Sequence, residues 1–194
     1  MSRQFWSETI TWATASGSII ANTTTETILF PNVTIPANFM QDGRAIRLSA
    51  FFIYGTTSTP TLTFKLRWGG VSGGVIAATG ANVMTSAVGG GASMTADGSI
   101  HAIIQTRSNG SSGTLFTMGD VIYYTSTLGT AGTVTQYGMP AILVSGATGA
   151  PGTAATTATA DLTADTALSL TATWGTSNAA NSIQGVVYTL EAMN

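Results

Sequence analysis

The sequence has 194 residues, with six Lys and Arg against eight Asp and Glu, and its formal net charge is −2. Charged residues make up 7% of the chain, whereas an average soluble domain has about 25%. This composition excludes nucleic-acid binding through a basic surface, because phosphate affinity depends on Lys and Arg. The absence of cysteine excludes a disulfide scaffold.

The N-terminal region does not resemble a targeting signal, since it has no apolar stretch of signal-peptide length. The longest apolar run, residues 50–54, is far shorter than the roughly 20 residues of a membrane-spanning helix. An outer-membrane barrel would require an export signal and aromatic girdles, whereas only 8% of the chain is aromatic. We therefore expect no membrane partner.

Residues 2–14 carry three large aromatic side chains, Phe5, Trp6 and Trp12. Such side chains dominate interface energies when they enter a pocket on a partner. The segment has two interpretations, a first strand of the fold or an N-terminal arm that packs on a neighbouring subunit. The three aromatic residues are the predicted interface residues.

Apolar and polar residues alternate with a period of two along much of the chain, a pattern that predicts β-strands. The clearest case is residues 61–68, where Leu62, Phe64 and Leu66 share one face and are predicted to lie in the core. Residues 46–54 alternate in the same way. The loop between these two segments contains Gly and Pro, so we predict that they form an antiparallel pair.

Seven further strands are predicted, and no window of ten residues shows a helical period. Trp68 and Trp174 end alternating apolar faces, which favours positions in or beside the core. Gly185 lies where the alternation of the last strand changes phase, which predicts a β-bulge. The seven predicted strands are residues 27–30, 75–79, 100–107, 114–124, 142–145, 167–174 and 183–193.

The chain is therefore predicted to be all-β, with about eight to ten antiparallel strands and almost no helix. The strand count favours a two-sheet sandwich of the jelly-roll type. Residues 146–165 are rich in Thr, Ala and Gly and are predicted to form a long surface loop or an edge of the sheet. The strands after this segment are too few to fold alone, so residues 1–194 are predicted to be a single domain.

The sequence contains no recognisable catalytic constellation, and it predicts no enzyme, no cofactor and no metal site. His101 is the only histidine, and it lies in a predicted strand on the face of Ile103, with no acidic residue tied to it. The paired glycines lack the helix and Lys of a phosphate loop. Asp161 and Asp165 do not match the spacing of a calcium-binding EF-hand, and turn formation is the favoured role, with Ca²⁺ binding left open.

Two stretches resemble small β-structured virion proteins of tailed bacteriophages. Residues 61–70, TLTFKLRWGG, resemble a TLTxxLRxGG strand and turn. The C-terminal residues, from 168 onwards, resemble the TATWGT…NSI…LE ending of such proteins. The resemblance implies a virion component, either a capsid decoration or cement protein or a tail-associated β-domain. It implies no functional residue, because the matching positions have packing roles.

These observations predict a non-enzymatic virion structural protein that is made in the host cytoplasm. The first hypothesis is a capsid decoration or cement protein that binds the major capsid protein or other virion subunits and stabilises the particle. A surface with few charges offers little repulsion between copies, which predicts a homo-oligomer, in the first instance a trimer. The alternative is a tail-fibre or receptor-binding head domain that recognises a glycan on the host surface.

Overall fold

Fourteen antiparallel strands make up the structure, a computed structural model that describes residues 7–56, 60–83, 94, 96–128, 134–145 and 156–193. The described residues contain no helix, so none of them forms an apolar helix long enough to cross a membrane. The all-β prediction is confirmed. The strands are β1 (Ser7–Trp12), β2 (Ile20–Ala21), β3 (Thr27–Ile28), β4 (Val33–Ile35), β5 (Ala45–Gly55), β6 (Thr61–Trp68), β7 (Gly74–Ala78), β8 (Asn82–Val83), β9 (Ala96–Ser108), β10 (Gly113–Leu128), β11 (Val134–Val144), β12 (Ala158–Ala160), β13 (Thr166–Trp174) and β14 (Ser182–Met193).

The strand count exceeds the predicted eight to ten because five of the strands are only two or three residues long. Such short segments are added to the sheet by pairing with a longer neighbour. They carry too few residues for alternation to reveal them in the sequence.

The hydrogen bonds join all of the described strands into one sheet, in the main order β1-β14-β5-β9-β10-β11-β7-β6-β13-β3. We call β1 to β11 in this order the first half-sheet, and β7 to β3 the second half-sheet. A single residue pair, Val144 on β11 and Ala78 on β7, connects the halves. The sheet curls, and the inner faces of its halves pack against each other. One continuous curled sheet therefore replaces the predicted pair of separate sheets, and jelly-roll connectivity stays a prediction.

The predicted pairing of residues 46–54 with residues 61–68 is wrong. β5 lies between β14 and β9 in the first half-sheet. β6 lies between β13 and β7 in the second half-sheet. Alternation identifies the face that a strand buries, but it carries no information about which strand is the neighbour. The two strands meet across the core instead of side by side.

Three aromatic rings fill the centre of the core between the half-sheets. The ring centroid of Phe52 lies 5.2 Å from that of Phe64 and 5.9 Å from that of Tyr123. Leu62, Phe64 and Leu66 are 0%, 0% and 1% exposed. The core face predicted for β6 is therefore confirmed.

Two glycines make room for aromatic rings beside β5. Phe52 is the register partner of Gly98 on β9 and of Gly185 on β14. A Cβ atom at Gly98 would overlap the Phe52 ring, and a Cβ atom at Gly185 would lie 2.5 Å from the ring of Phe30. The register shifts between Gly185 and Val187, which confirms the predicted bulge.

Both predicted core tryptophans are buried and use their indole N–H groups. Trp68 donates to the backbone oxygen of Asp161 at 2.8 Å, and Trp174 donates to that of Ile20 at 3.4 Å. A buried indole N–H needs an acceptor. These bonds join one end of the second half-sheet to the loop before β13 and the other end to β2, which pairs with β14.

Two predicted segments are only partly described. Residues 7–12 form β1, the first strand at one edge of the sheet, while Phe5 and Trp6 lie outside the described residues. Within the predicted loop 146–165, residues 146–155 also lie outside them. β12, further along, pairs with β10 over three residues.

Replacement of Phe64 by alanine tests the shared core. Phe64→Ala removes a ring that contacts Phe52 across the two half-sheets, and we expect the free energy of unfolding to fall by about 3–5 kcal/mol. Urea melts followed by tryptophan fluorescence measure the change. Thr63→Ala, on the opposite face of β6, is the control, and we expect it to change stability by less than about 0.5 kcal/mol. Equal effects of the two variants would contradict the assigned core face.

The glycine beside Phe52 provides a second test. Gly98→Ala places a methyl group where the Phe52 ring lies, and we expect overpacking to cost about 1–3 kcal/mol in urea melts. Gly74→Ala is a matched control, because no atom lies within 4 Å of the position of its added Cβ. We expect the control to be neutral or slightly stabilising, since alanine reduces the entropy of the unfolded chain. A harmless Gly98→Ala would contradict the close packing described here.

Candidate functional site

The strand register aligns side chains in three rows on the outer face of the first half-sheet, the face turned away from the core. Residues directly opposite each other in antiparallel strands point to the same side of a sheet, so each row can be followed from strand to strand. The first row is Trp12, Thr189, Ser49, His101, Asp120 and Ile142; the second is Glu191, Arg47, Ile103 and Met118; the third is Val187, Phe51, Ser99 and Ile122. We call these three rows the outer face.

The outer face carries most of the exposed large apolar side chains. Eight such side chains are exposed among the described residues, and six of them lie in the three rows. Their exposed fractions run from 45% for Ile103 to 61% for Trp12. The other two, Ile19 and Val75, lie elsewhere. The polar side chains of Ser49, His101 and Asp120 lie between the row of Phe51 and the row of Ile103. Several exposed apolar side chains on one face are typical of a binding surface. The six are Trp12, Phe51, Ile103, Met118, Ile142 and Val187.

Sequence reasoning singled out only Trp12 of this group, and the register places it at one end of the first row. The strand segments around Phe51 and Ile103 carry apolar residues at consecutive positions, so both faces of these strands are apolar. That pattern is the signal that would have identified the outer face. Alternation alone cannot distinguish a face buried by the fold from one left exposed.

A shallow depression of about 310 Å³ lies at the centre of the outer face, between β5, β9 and β10. Its polar lining comes from four side chains, and Ile103 and Met118 supply the apolar part. The Nδ1 atom of His101 lies 3.4 Å from the Oγ atom of Ser49, and its ring meets the Phe51 ring edge-on at 5.9 Å. The four polar residues are Arg47, Ser49, His101 and Asp120.

Charges of both signs lie on this face. A guanidinium nitrogen of Arg47 lies 3.6 Å from a carboxylate oxygen of Glu191, and the Arg47 side chain is half exposed. Asp120 lies on the other side of β9 from Arg47. The predicted position of His101, on the same strand face as Ile103, is confirmed.

Ser49, His101 and Asp120 stand side by side on three adjacent strands. These residue types occur together in catalytic triads, but the geometry differs. Ser49 contacts Nδ1, the nitrogen that binds the acid in such triads. In the part of the chain that the structure describes, no ion pair joins Asp120 to His101. The arrangement differs from that of a serine triad, and it can donate and accept hydrogen bonds on the surface.

A second charged cluster lies on the outer side of the second half-sheet, around Glu26. The Glu26 carboxylate accepts hydrogen bonds from Nε of Arg67 at 2.5 Å, Nζ of Lys65 at 2.9 Å and Oγ1 of Thr171 at 2.6 Å. The bond from Arg67 is the main reason that the pKa of Glu26 falls to about 2. With three partners, the carboxylate is saturated. This cluster ties the segment before β3 to β6 and β13.

The acidic residues considered for Ca²⁺ have local roles. The Asp161 carboxylate accepts hydrogen bonds from the backbone N and the Oγ1 of Thr163, at 2.9 and 2.7 Å. These bonds lower the pKa of Asp161. Asp165 accepts a hydrogen bond from the backbone N of Ala37 at 2.8 Å. The Asp161 contacts form a turn, whereas the Asp165 contact joins two segments that lie far apart in the chain. No group of three potential metal ligands occurs among the described residues.

No protein-family model and no curated protein sequence matches the chain. Among solved structures, the fold is similar to the CBM2 module of the evolved Dit protein of Lactobacillus casei BL23 phage J-1. The two chains are 10% identical, the match covers 99% of this chain and 98% of that one, and the TM-score is 0.40.

The Glu26 cluster predicts a pH dependence of stability. The pKa of the carboxyl group is about 2 in the folded chain, against an ordinary value of 4.5. The contribution of the Glu26 carboxylate to the free energy of unfolding is therefore complete above pH 4.5, and it is lost as the pH falls from 4.5 towards 2. We expect Glu26→Gln to lower the free energy of unfolding at pH 7 by about 1.5–3 kcal/mol, and we expect the difference from the parent to shrink in acid.

Urea melts of the parent chain and of Glu26→Gln at neutral and acidic pH measure this effect. Glu8→Gln, an exposed carboxylate on the edge strand β1, serves as the control and should change stability little at any pH. A Glu26→Gln effect of the same size at every pH would contradict the lowered pKa.

Proposed function

We propose that this chain is a non-enzymatic structural protein of a tailed-bacteriophage virion, and that it works by binding other protein subunits through the outer face. The observation that carries the proposal is the group of six exposed apolar side chains on that face. The side chains project from neighbouring strands of one sheet, so they are held in fixed positions. A rigid apolar surface of this kind suits docking against another protein.

Within the virion, we propose a capsid decoration or cement protein that binds the major capsid lattice and stabilises the particle. The resemblance at residues 61–70 and at the C-terminus supports the virion class. The low charge supports dense packing, because neighbouring copies at 7% charged residues repel each other little. Localisation in the virion is part of the same proposal.

The proposal includes no catalysis. The most enzyme-like group of residues is Ser49, His101 and Asp120. In this group Ser49 lies 3.4 Å from Nδ1 of His101, the nitrogen that binds the acid in serine triads, which supports a binding role over a catalytic one.

Glycan recognition by a tail-fibre or receptor-binding head domain is the second candidate. The observation that favours it is the depression between β5, β9 and β10, which four polar side chains line, one of them, His101, in edge-on contact with the Phe51 ring. Polar groups of this kind can bind hydroxyl groups, and an aromatic ring can pack on the apolar side of a sugar. The two functions overlap on this face, because Ile103 and Met118 line the depression and belong to the apolar group.

A binding experiment with particles tests the first function. Purified particles of the phage that encodes the chain, prepared without it, are titrated with the recombinant protein. We expect saturable binding that stabilises the particles against heat. The double variant Ile103→Lys with Met118→Lys places two charges in the apolar group, and we expect at least a tenfold loss of affinity. Val75→Lys is the matched control, since Val75 is exposed but lies off the outer face.

Circular dichroism and urea melts of each variant show that it is folded before it is tested. Unchanged particle binding by the folded double variant would contradict docking through the outer face. Binding to a glycan array that is lost in Asp120→Asn, by a parent chain that does not bind the particles, would favour the second function over the first.

A further inference from the structure

We propose that Asn109 and Gly110, in the turn between β9 and β10, form a site of spontaneous deamidation at which Asn109 is converted into aspartate and isoaspartate. This inference goes beyond the proposed function and is independent of it, because neither residue belongs to the three rows of the outer face. It follows from the residue types in the turn, from the hydrogen bonds around them and from the contacts of the turn with the core.

Deamidation of an asparagine is an attack of the main chain on the side chain. The amide nitrogen of the following residue loses its proton to the solvent and forms a bond with Cγ, and the side-chain nitrogen leaves as ammonia. Water then opens the succinimide ring at either of its carbonyl carbons, which gives aspartate or isoaspartate. The overall reaction consumes one water molecule and releases one ammonia, so it requires no oxidant, and asparagine is accordingly among the thermolabile residues of proteins.

The residue after Asn109 offers no steric hindrance to this attack. Asn109 and Gly110 form the only Asn-Gly pair in the sequence, and every other asparagine that has a successor precedes a residue with a side chain. Gly110 has a φ of +107°, which residues other than glycine rarely adopt. The turn therefore requires a glycine at the position where deamidation is least hindered.

The hydrogen bonds of the turn leave the attacking nitrogen free. In the part of the chain that the structure describes, no acceptor binds the N–H group of Gly110. The carboxylate of Asp42 accepts a hydrogen bond from the backbone N of Asn109 instead, at 2.7 Å. Nδ2 of Asn109 donates to Oε1 of Gln41 at 3.0 Å, but both side chains are exposed. Water competes for these groups, so this bond does not hold the side-chain amide firmly.

Three related positions are protected by the fold. In Asp42–Gly43, which can form the same ring, the glycine N–H donates to the backbone oxygen of Thr106 at 3.0 Å. In Asp97–Gly98, the glycine lies inside β9 and is paired on both sides. Asn181 precedes a serine, but it is 2% exposed. The turn at Asn109 is therefore the position where chemistry and structure both permit the reaction.

The modification changes the charge of the turn. Conversion removes the amide donor that binds Gln41 and adds a carboxylate close to Asp42, whose Oδ1 atom lies 2.7 Å from the Asn109 nitrogen. Like charges then repel where a neutral side chain stood before. The formal net charge of −2 becomes more negative by one, so the modified chain is separable by ion exchange.

Isoaspartate also changes the main chain, because it inserts a methylene group immediately before Gly110. The backbone oxygen of Gly110 accepts hydrogen bonds from the N–H groups of Gly113 at 3.1 Å and Leu162 at 3.0 Å. Leu162 is a core residue, 2% exposed. A longer main chain displaces the Gly110 oxygen from its donors. We therefore expect isoaspartate at this position to weaken the bond between the turn and the loop before β13.

Peptide mapping by mass spectrometry tests the site after incubation of the folded chain in mildly alkaline buffer. We expect Asn109 to lose its amide before any other asparagine, at a rate that rises with pH because the attacking nitrogen must be deprotonated. Asn109→Gln is the matched control, since it keeps a neutral amide whose longer side chain closes a ring much more slowly. We expect no acidic form of this variant on ion exchange over the same period.

Two results would overturn the site. One is earlier conversion of another asparagine, such as Asn181. The other is an intact Asn109 in the folded chain under conditions in which a synthetic peptide of residues 104–114 deamidates, because the fold would then protect the turn.

Hydrogen exchange of the separated forms tests the effect on the fold. We expect the amide hydrogen of Leu162 to exchange faster in the isoaspartate form than in the fresh chain, since it loses its acceptor. Asn109→Asp is the control, because it carries the same added charge on an unaltered main chain, and its Leu162 amide should exchange at the rate of the parent. Equal exchange in all three forms would contradict the expected loosening of the turn.

Discussion

The packing of Phe52 between two glycines is the constraint on which the rest of this fold depends. Its strand, β5, is flanked by β9 and β14, and each of them carries a glycine at the residue paired with Phe52. The space left at Gly98 holds the Phe52 ring, and the space left at Gly185 holds the ring of Phe30. Glycines in strand interiors permit the strong local curvature that brings the two half-sheets together over these rings.

The inner packing also determines what the molecule presents outside. Because side chains alternate across a strand, burial of Phe52 directs Phe51 to the outer face. In the same way, burial of Ile104 directs Ile103 outward, next to His101. The core and the outer face are two sides of the same strands, so a shift that loosens one also displaces the other. The packed core therefore holds the side chains of the outer face in fixed positions.

The sequence predicted the parts of this structure that depend on local pattern. The core face of Phe64, the bulge at Gly185 and the burial of Trp174 follow from alternation and from turn chemistry. The sequence did not predict that β5 pairs with β14 and β9 instead of β6, because strands that pair can lie far apart in the chain. Ala45, for example, pairs with Met193. The outer face was missed for the same reason, since its rows exist only once five pairings are known.

The pairing of β14 with β5 has a consequence for how the chain folds during synthesis. β14 lies between β1 and β5 in the sheet but follows both in the chain by more than a hundred residues. Until β14 has left the ribosome, one edge of β5 has no partner and the core beneath it is open. Contacts of such long sequence separation form slowly, because loop closure is costly in entropy. The first half-sheet therefore closes only after β14 has been synthesised, and until then the unpaired edge of β5 is exposed to aggregation.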